Sequence, residues 1–136
     1  MTGEADETGY LILAGEAGAA DPALERAVAE LLPSGWIERL EGFGLRILTA
    51  PRFPWPVAQV HRAHALIGEW RGEGPHPSAI AGCFPQGRPL GAGLMAQGWG
   101  AYLMVWRDSD GHLNLVRDPT GAIDAVWWRR GGVTLV

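Results

Sequence analysis

The sequence predicts an α+β fold with mostly antiparallel strands, and three observations carry that expectation. Residues 21–32 place apolar side chains at helical spacing behind a capping residue. Several short apolar runs end at Gly, Pro or Asp turn clusters, as strands do. The second half adds hairpin signals, among them Asp108–His112 and the Gly131-Gly132 pair. A chain of 136 residues has room for one domain with a real core, burying roughly two-thirds of its unfolded surface.

In chain order, residues 1–8 read as a disordered acidic tail ahead of a single domain over 9–136. Tyr10–Ala14, between Gly9 and Gly15, suits a buried first strand. Asp21-Pro22 supplies an N-cap with proline at the first helical position, and Leu24, Ala27, Val28, Leu31 and Leu32 line one face. Pro33-Ser34-Gly35 stops that helix. Trp36–Leu40 and Leu45–Thr49 form a candidate hairpin, and Pro51–Pro56 a surface loop in which Phe53 and Trp55 cover the core edge. Val57–Val60 and Ala63–Ile67 resume the strand pattern. Residues 71–98 predict loops with a weak, glycine-interrupted helix over Leu90–Gln97. Tyr102–Trp106, Leu113–Val116, Ala125–Trp128 and Val133–Val136 then predict a closing four-strand meander. The last of these ends without a polar tail, which reads as an interrupted chain with an exposed strand edge. With the seven tryptophans, that edge predicts poor solubility or self-association.

Composition narrows the function classes. An apolar fraction of 47% and a charged fraction of 19% are those of a globular protein. The uncharged run Leu90–Trp106 contains four glycines and falls short of the roughly 20 apolar residues a bilayer demands. An acidic start, where a secretory signal would be basic and then apolar, together with a lone cysteine, places the chain in the cytoplasm. Residues 1–41 hold nine acids against two arginines, and 42–136 six acids against nine arginines, giving −7 and +3, hence −4 overall. Those arginines are scattered rather than striped, which argues against nucleic acid. All 11 basic residues are arginine, so lysine-dependent phosphate loops, Schiff bases and general bases are excluded.

Three segments carry a family resemblance: Trp99–Asp108, Leu113–Gly121 with its Arg117-Asp118-Pro119-Thr120-Gly121, and Val126-Trp127-Trp128. They resemble class II glutamine amidotransferase domains of asparagine synthetases, where a Gly-x-Phe-type strand precedes Arg-Asp-x-x-Gly and an aromatic pair. Ile67-Gly68-Glu69 stands where that family has Asn-Gly-Glu. Arg117–Ala122 is similar to the Arg-Asp-Pro-Ser-Gly-Ala of the asparagine-synthetase-like cyclases that close lasso peptide macrolactams. The resemblance implies the sandwich of amino-terminal-nucleophile (Ntn) hydrolases, two mostly antiparallel sheets with flanking helices, in minimal or truncated form.

It also implies where chemistry would sit. A class II glutaminase uses a cysteine directly after the initiator methionine, its freed amine activating the thiol. Here that position is Thr2, on an acidic tail that lacks the positional precision catalysis needs. Cys83 is the other candidate nucleophile, but its neighbours Gly82 and Phe84 give no sign of an activated thiol. The four histidines have no metal-ligand spacing, and no metal is expected. Gly68 and Glu69 would be a vestigial glutamine pocket, since Ile67 removes the asparagine amide that could bind a polar substrate. Gly100, Arg117, Asp118 and Gly121 read as structural, Asp118 as a turn former.

The expectation is therefore a non-catalytic, degenerate glutaminase-like domain of an amide ligase. Its alternatives are a stand-alone peptide- or protein-binding module of peptide maturation, and an active glutaminase using Thr2. In the family, ATP with magnesium activates a carboxylate in a separate carboxy-terminal synthetase domain. This sequence has no Ser-Gly-Gly-x-Asp-type motif, so no cofactor is expected on it. The implied partners are that synthetase domain or a partner protein, and a precursor peptide.

Overall fold

A computed structural model describes residues 8–15, 21–42, 44–60, 64–72, 90–108 and 110–136. In chain order the elements are β1 (Tyr10–Gly15), α1 (Pro22–Leu31) with a 3-10 turn (Leu32–Ser34), β2 (Ile37–Gly42), β3 (Leu45–Thr49), β4 (Val57–Gln59), β5 (His64–Gly72), α2 (Leu90–Gln97), β6 (Gly98–Arg107), β7 (Leu113–Arg117), β8 (Trp128–Arg130) and β9 (Val133–Leu135). The fold is α+β, and every strand pairing among the described residues is antiparallel. Two compact units divide the chain, each containing one sheet. Among the described residues no helix is long and apolar enough to cross a membrane.

In the first unit the strand order is β2-β3-β1-β9-β8. α1 begins where the sequence places it. Asp21 stays extended and accepts the Ala23 N–H at 2.9 Å, while Pro22 occupies a position whose N–H no helix needs. The helix ends through Gly35, whose φ of 92° suits a residue without Cβ and whose N–H reaches the Leu32 carbonyl at 3.2 Å. Leu24, Val28 and Leu31 pack from α1 onto Leu11, Leu13, Leu48, Val133 and Leu135 of the sheet, with Trp36 at the margin. Each such burial contributes about 1.5–3 kcal/mol. Phe53, half-buried, lies 5.6 Å from the Tyr10 ring, as expected of a loop residue covering a core edge.

The expected closing meander is not what forms. β6 and β7 pair in the second unit's sheet, whereas β8 and β9 join the first, with β9 laid against β1 at Leu13↔Leu135. Turn residues fix pairing within a hairpin but not which sheet that hairpin joins. Val133 and Leu135 share the α1 face with Leu13, and that burial decides the matter. Of the expected strand 125–128 only Trp128 enters a ladder. The last strand is also not an exposed edge. β9 lies between β1 and β8, and Val136 exchanges two 2.9 Å backbone hydrogen bonds with Ile12.

One buried cation sits in this unit. Arg46 lies in β3, where alternation turns its side chain to the same face as Leu48 and hence toward α1. Its guanidinium binds Glu38 of β2 and Glu25 of α1, each at 2.6 Å. The hydrogen bond it donates to Glu38, opposed by burial and supported by Glu25, holds its pKa above the usual arginine value. A bulge at Arg39 in β2 sets the Glu38 register, and Arg39 itself donates to the Thr49 hydroxyl at 2.9 Å.

In the second unit the order is β4-β5-β6-β7. β5 and β6 pair along their length from His64↔Trp106 to Gly72↔Gly98. Leu66, Trp70, Tyr102 and Met104 form one apolar face, closed by Leu94 of α2. The weakly periodic α2 forms because this face needs cover. Trp70 fastens it by donating its indole N–H to the Leu94 carbonyl at 3.1 Å, and its ring fills the space over Gly72 and Gly98, where any Cβ would collide with it.

Candidate functional site

The residues that resemble the glutamine pocket lie in the second unit, on β5 and beside it. Gly68 has φ of 98° in mid-strand, and a Cβ there would strike the Ala101 carbonyl oxygen and come within 2.8 Å of Ile123 Cδ1. Gly100, on the neighbouring strand, has φ of 148°, and a Cβ would strike the Glu69 carbonyl oxygen. Both glycines are therefore required by close backbone approach between β5 and β6. The Gly68 N–H is used as well, donating to the Pro56 carbonyl at 2.9 Å.

Beside them lies an open groove of about 340 Å³, lined by Ala58, Val60, Leu66, Gly68, Glu69 and Arg71 among others. Its floor is apolar. Glu69 and Arg71 face one another across one strand residue at 3.2 Å, with side chains 53% and 68% exposed. An ion pair so open to water contributes at most about 1 kcal/mol. Ile67, the residue in place of the family's asparagine, is completely buried. Among the described residues the groove lining thus holds one paired carboxylate and no hydroxyl, thiol or imidazole.

Asp118 is the best-formed polar feature among the unit's described residues. At the end of β7 it is 2% exposed, and its backbone N–H donates to the Tyr102 carbonyl at 3.0 Å. Its carboxylate returns the exchange by accepting the Tyr102 N–H at 3.2 Å, standing where a strand carbonyl would stand. The same carboxylate accepts the Thr120 N–H at 3.0 Å and the Thr120 hydroxyl. Gly121, with φ of 65°, closes the turn onto the Asp118 carbonyl at 3.0 Å. Burial alone pushes the Asp118 carboxyl up, but hydrogen bonds from the Thr120 hydroxyl and from the Tyr102, Ala122 and Thr120 N–H groups outweigh it. The net pKa lies below the usual carboxylate value. Arg117, half-exposed, lays its guanidinium beside Gly121 and reaches Asp124 at 3.6 Å.

The structure brings Gly68, Glu69, Gly100 and Arg117 to one sheet, with Asp118 and Gly121 in the turn that follows β7, and gives the two β5–β6 glycines and Asp118 conformational duties. Thr2 and Cys83 lie outside the described residues, as do His61 and His76. His64 lies on β5, with its ring 5.0 Å from that of Trp106. An adenylating nucleotide finds no cradle at α1, whose N-terminus is already occupied by the Asp21 carboxylate. What sequence reasoning missed is the Arg46 triad, because its partners are 8 and 21 residues away and nothing local marks them. Comparison with protein-family models, with curated proteins and with solved structures finds no match.

Proposed function

We propose that this chain is a non-catalytic, degenerate glutamine amidotransferase-like domain of an asparagine-synthetase-type amide ligase, of the kind that forms lasso peptide macrolactams. On this reading its two sheets are a minimal version of the Ntn-hydrolase sandwich, and the protein works in the cytoplasm beside an ATP-dependent synthetase domain or partner. The observation that carries the proposal is the state of the Ile67-Gly68-Glu69 segment. Its glycine is kept by backbone crowding against β6, while the position that should offer an amide is a buried isoleucine and the carboxylate is held by Arg71. A segment that keeps the strand geometry of a substrate pocket without its polar groups fits a domain retained for packing, assembly or substrate presentation.

Two measurements test it. Purified protein is incubated with glutamine and, separately, with a glutamine-analogue electrophile, followed by ammonia release and intact mass. The expected outcome is no hydrolysis and no adduct. An adduct at Thr2 with glutamine turnover would replace the proposal with an active glutaminase. Sequencing beyond Val136 should show the same or an adjacent reading frame entering a Ser-Gly-Gly-x-Asp-type ATP motif. A stop codon with no synthetase gene nearby would remove the ligase context.

A further inference from the structure

A second feature, in the first unit and independent of the glutaminase-like reading, points to a binding surface. Among the described residues β8 ends its sheet, with β9 as its strand neighbour, and Trp128, Arg129 and Arg130 are all exposed. Leading into it, Val126 is 72% and Trp127 66% exposed. Cross-strand partners share a face, so the pairings Trp128↔Leu135 and Arg130↔Val133 turn Trp128 and Arg130 toward α1, and Arg129 to the other side. Between α1 and the β8–β9 hairpin runs a groove of about 270 Å³, with Ala23, Ala27 and Val133 in its floor and Arg26, Glu30 and Arg130 on its rim.

We propose that this edge takes up an extended acidic peptide, which adds a strand to β8 and lays one apolar side chain in the groove. An edge strand supplies the backbone ladder, and a groove beside it selects alternate side chains, the two components of strand-addition binding. Charge selects the occupant. Arg26 and Arg130 against Glu30 leave the rim of this groove at +1 on a chain that carries −4 overall, so an acidic strand is attracted and a basic one repelled. A second copy is the wrong occupant, because antiparallel pairing of β8 with itself in full register sets Arg129 directly against Arg129, and like charges directly opposite destabilise a ladder. Nucleic acid could stack on Trp127, but Glu30 on the rim and the scattered arginines give phosphates no track.

The test is fluorescence anisotropy of the full chain with a labelled peptide of alternating aspartate and leucine. Its comparisons are the lysine–leucine counterpart, the same acidic peptide with alternate backbone nitrogens methylated, and single-stranded oligothymidine. Saturable binding of the acidic peptide is expected, weakened about tenfold or more by Arg130→Glu and by backbone methylation, and absent for the lysine peptide. Arg130 is exposed, so the variant should keep its fold, which circular dichroism checks, and Trp127→Ala gives a second, uncharged variant expected to weaken binding. Equal binding of both peptides, or no loss in Arg130→Glu, overturns the proposal. So does tighter binding of oligothymidine, or self-association through this edge in sedimentation. If the peptide binds only after removal of residues 1–7, which include Glu4, Asp6 and Glu7, the occupant is the chain's own acidic start and the proposal fails. None of these results bears on glutamine hydrolysis, so the two proposals fail separately.

Discussion

Replacing Asp118 by alanine removes the acceptor of four donors around the end of β7. The donors differ in what they lose. Thr120 is exposed, so water replaces much of its bonding, whereas Tyr102 is 1% exposed and its N–H has nowhere else to go. A bond to a charged acceptor contributes about 1.5–3 kcal/mol, and an orphaned buried N–H costs about 1–3 kcal/mol. Allowing for overlap between these terms, Asp118→Ala should lose about 3 kcal/mol. Asp118→Asn, which keeps one acceptor oxygen but turns an amide NH2 toward donors, should lose about 2 kcal/mol. Acid gives a sharper check. The folded pKa of Asp118 lies below the unfolded value of about 3.9, so its contribution is complete above that value and is lost as pH falls through the folded pKa. Asparagine does not titrate. The stability gap between wild type and Asp118→Asn, measured by urea unfolding, should therefore be constant from neutral pH to about 5 and narrow toward pH 3 and below. A gap that stays constant or widens on acidification would refute the assignment of this stability to the carboxylate.

Three further outcomes follow from the same reasoning. Arg46→Ala should cost about 2–3 kcal/mol, below the loss typical of a fully buried pair because Glu25 and Glu38 are 56% and 26% exposed, while Arg46→Met, which keeps the apolar stem, should cost less; equilibrium unfolding ranks them. Gly100→Ala meets both a positive φ and the Glu69 carbonyl, whereas Gly35→Ala, with φ of 92°, meets open space. The first should prevent stable folding or cost about 3 kcal/mol or more and the second about 1 kcal/mol, by thermal unfolding. Trp70→Phe loses the bond to the Leu94 carbonyl and part of the cover over Gly72 and Gly98, and should cost about 2 kcal/mol with faster amide exchange in α2.

The sequence by itself determined the parts whose cause is local. Asp21-Pro22 starts a helix because a carboxylate caps it and proline needs no partner there, and Gly35 ends it because a left-handed residue must. The hairpins β2–β3 and β6–β7 were legible because alternation and turn chemistry act over a few residues. The turn role of Asp118 was legible too, although not its bond across to Tyr102, whose partner lies 16 residues back. Tertiary structure alone decided what depends on distant burial. It sent β8 and β9 to the first sheet rather than into a meander, since Val133 and Leu135 could bury against Leu13 and α1. It made Gly68 and Gly100 indispensable, because only pairing in this register brings the Ala101 and Glu69 carbonyls against them. It also buried Arg46 between two carboxylates from different elements, a cost in desolvation that no local pattern encodes and that only the assembled sheet and helix can offset.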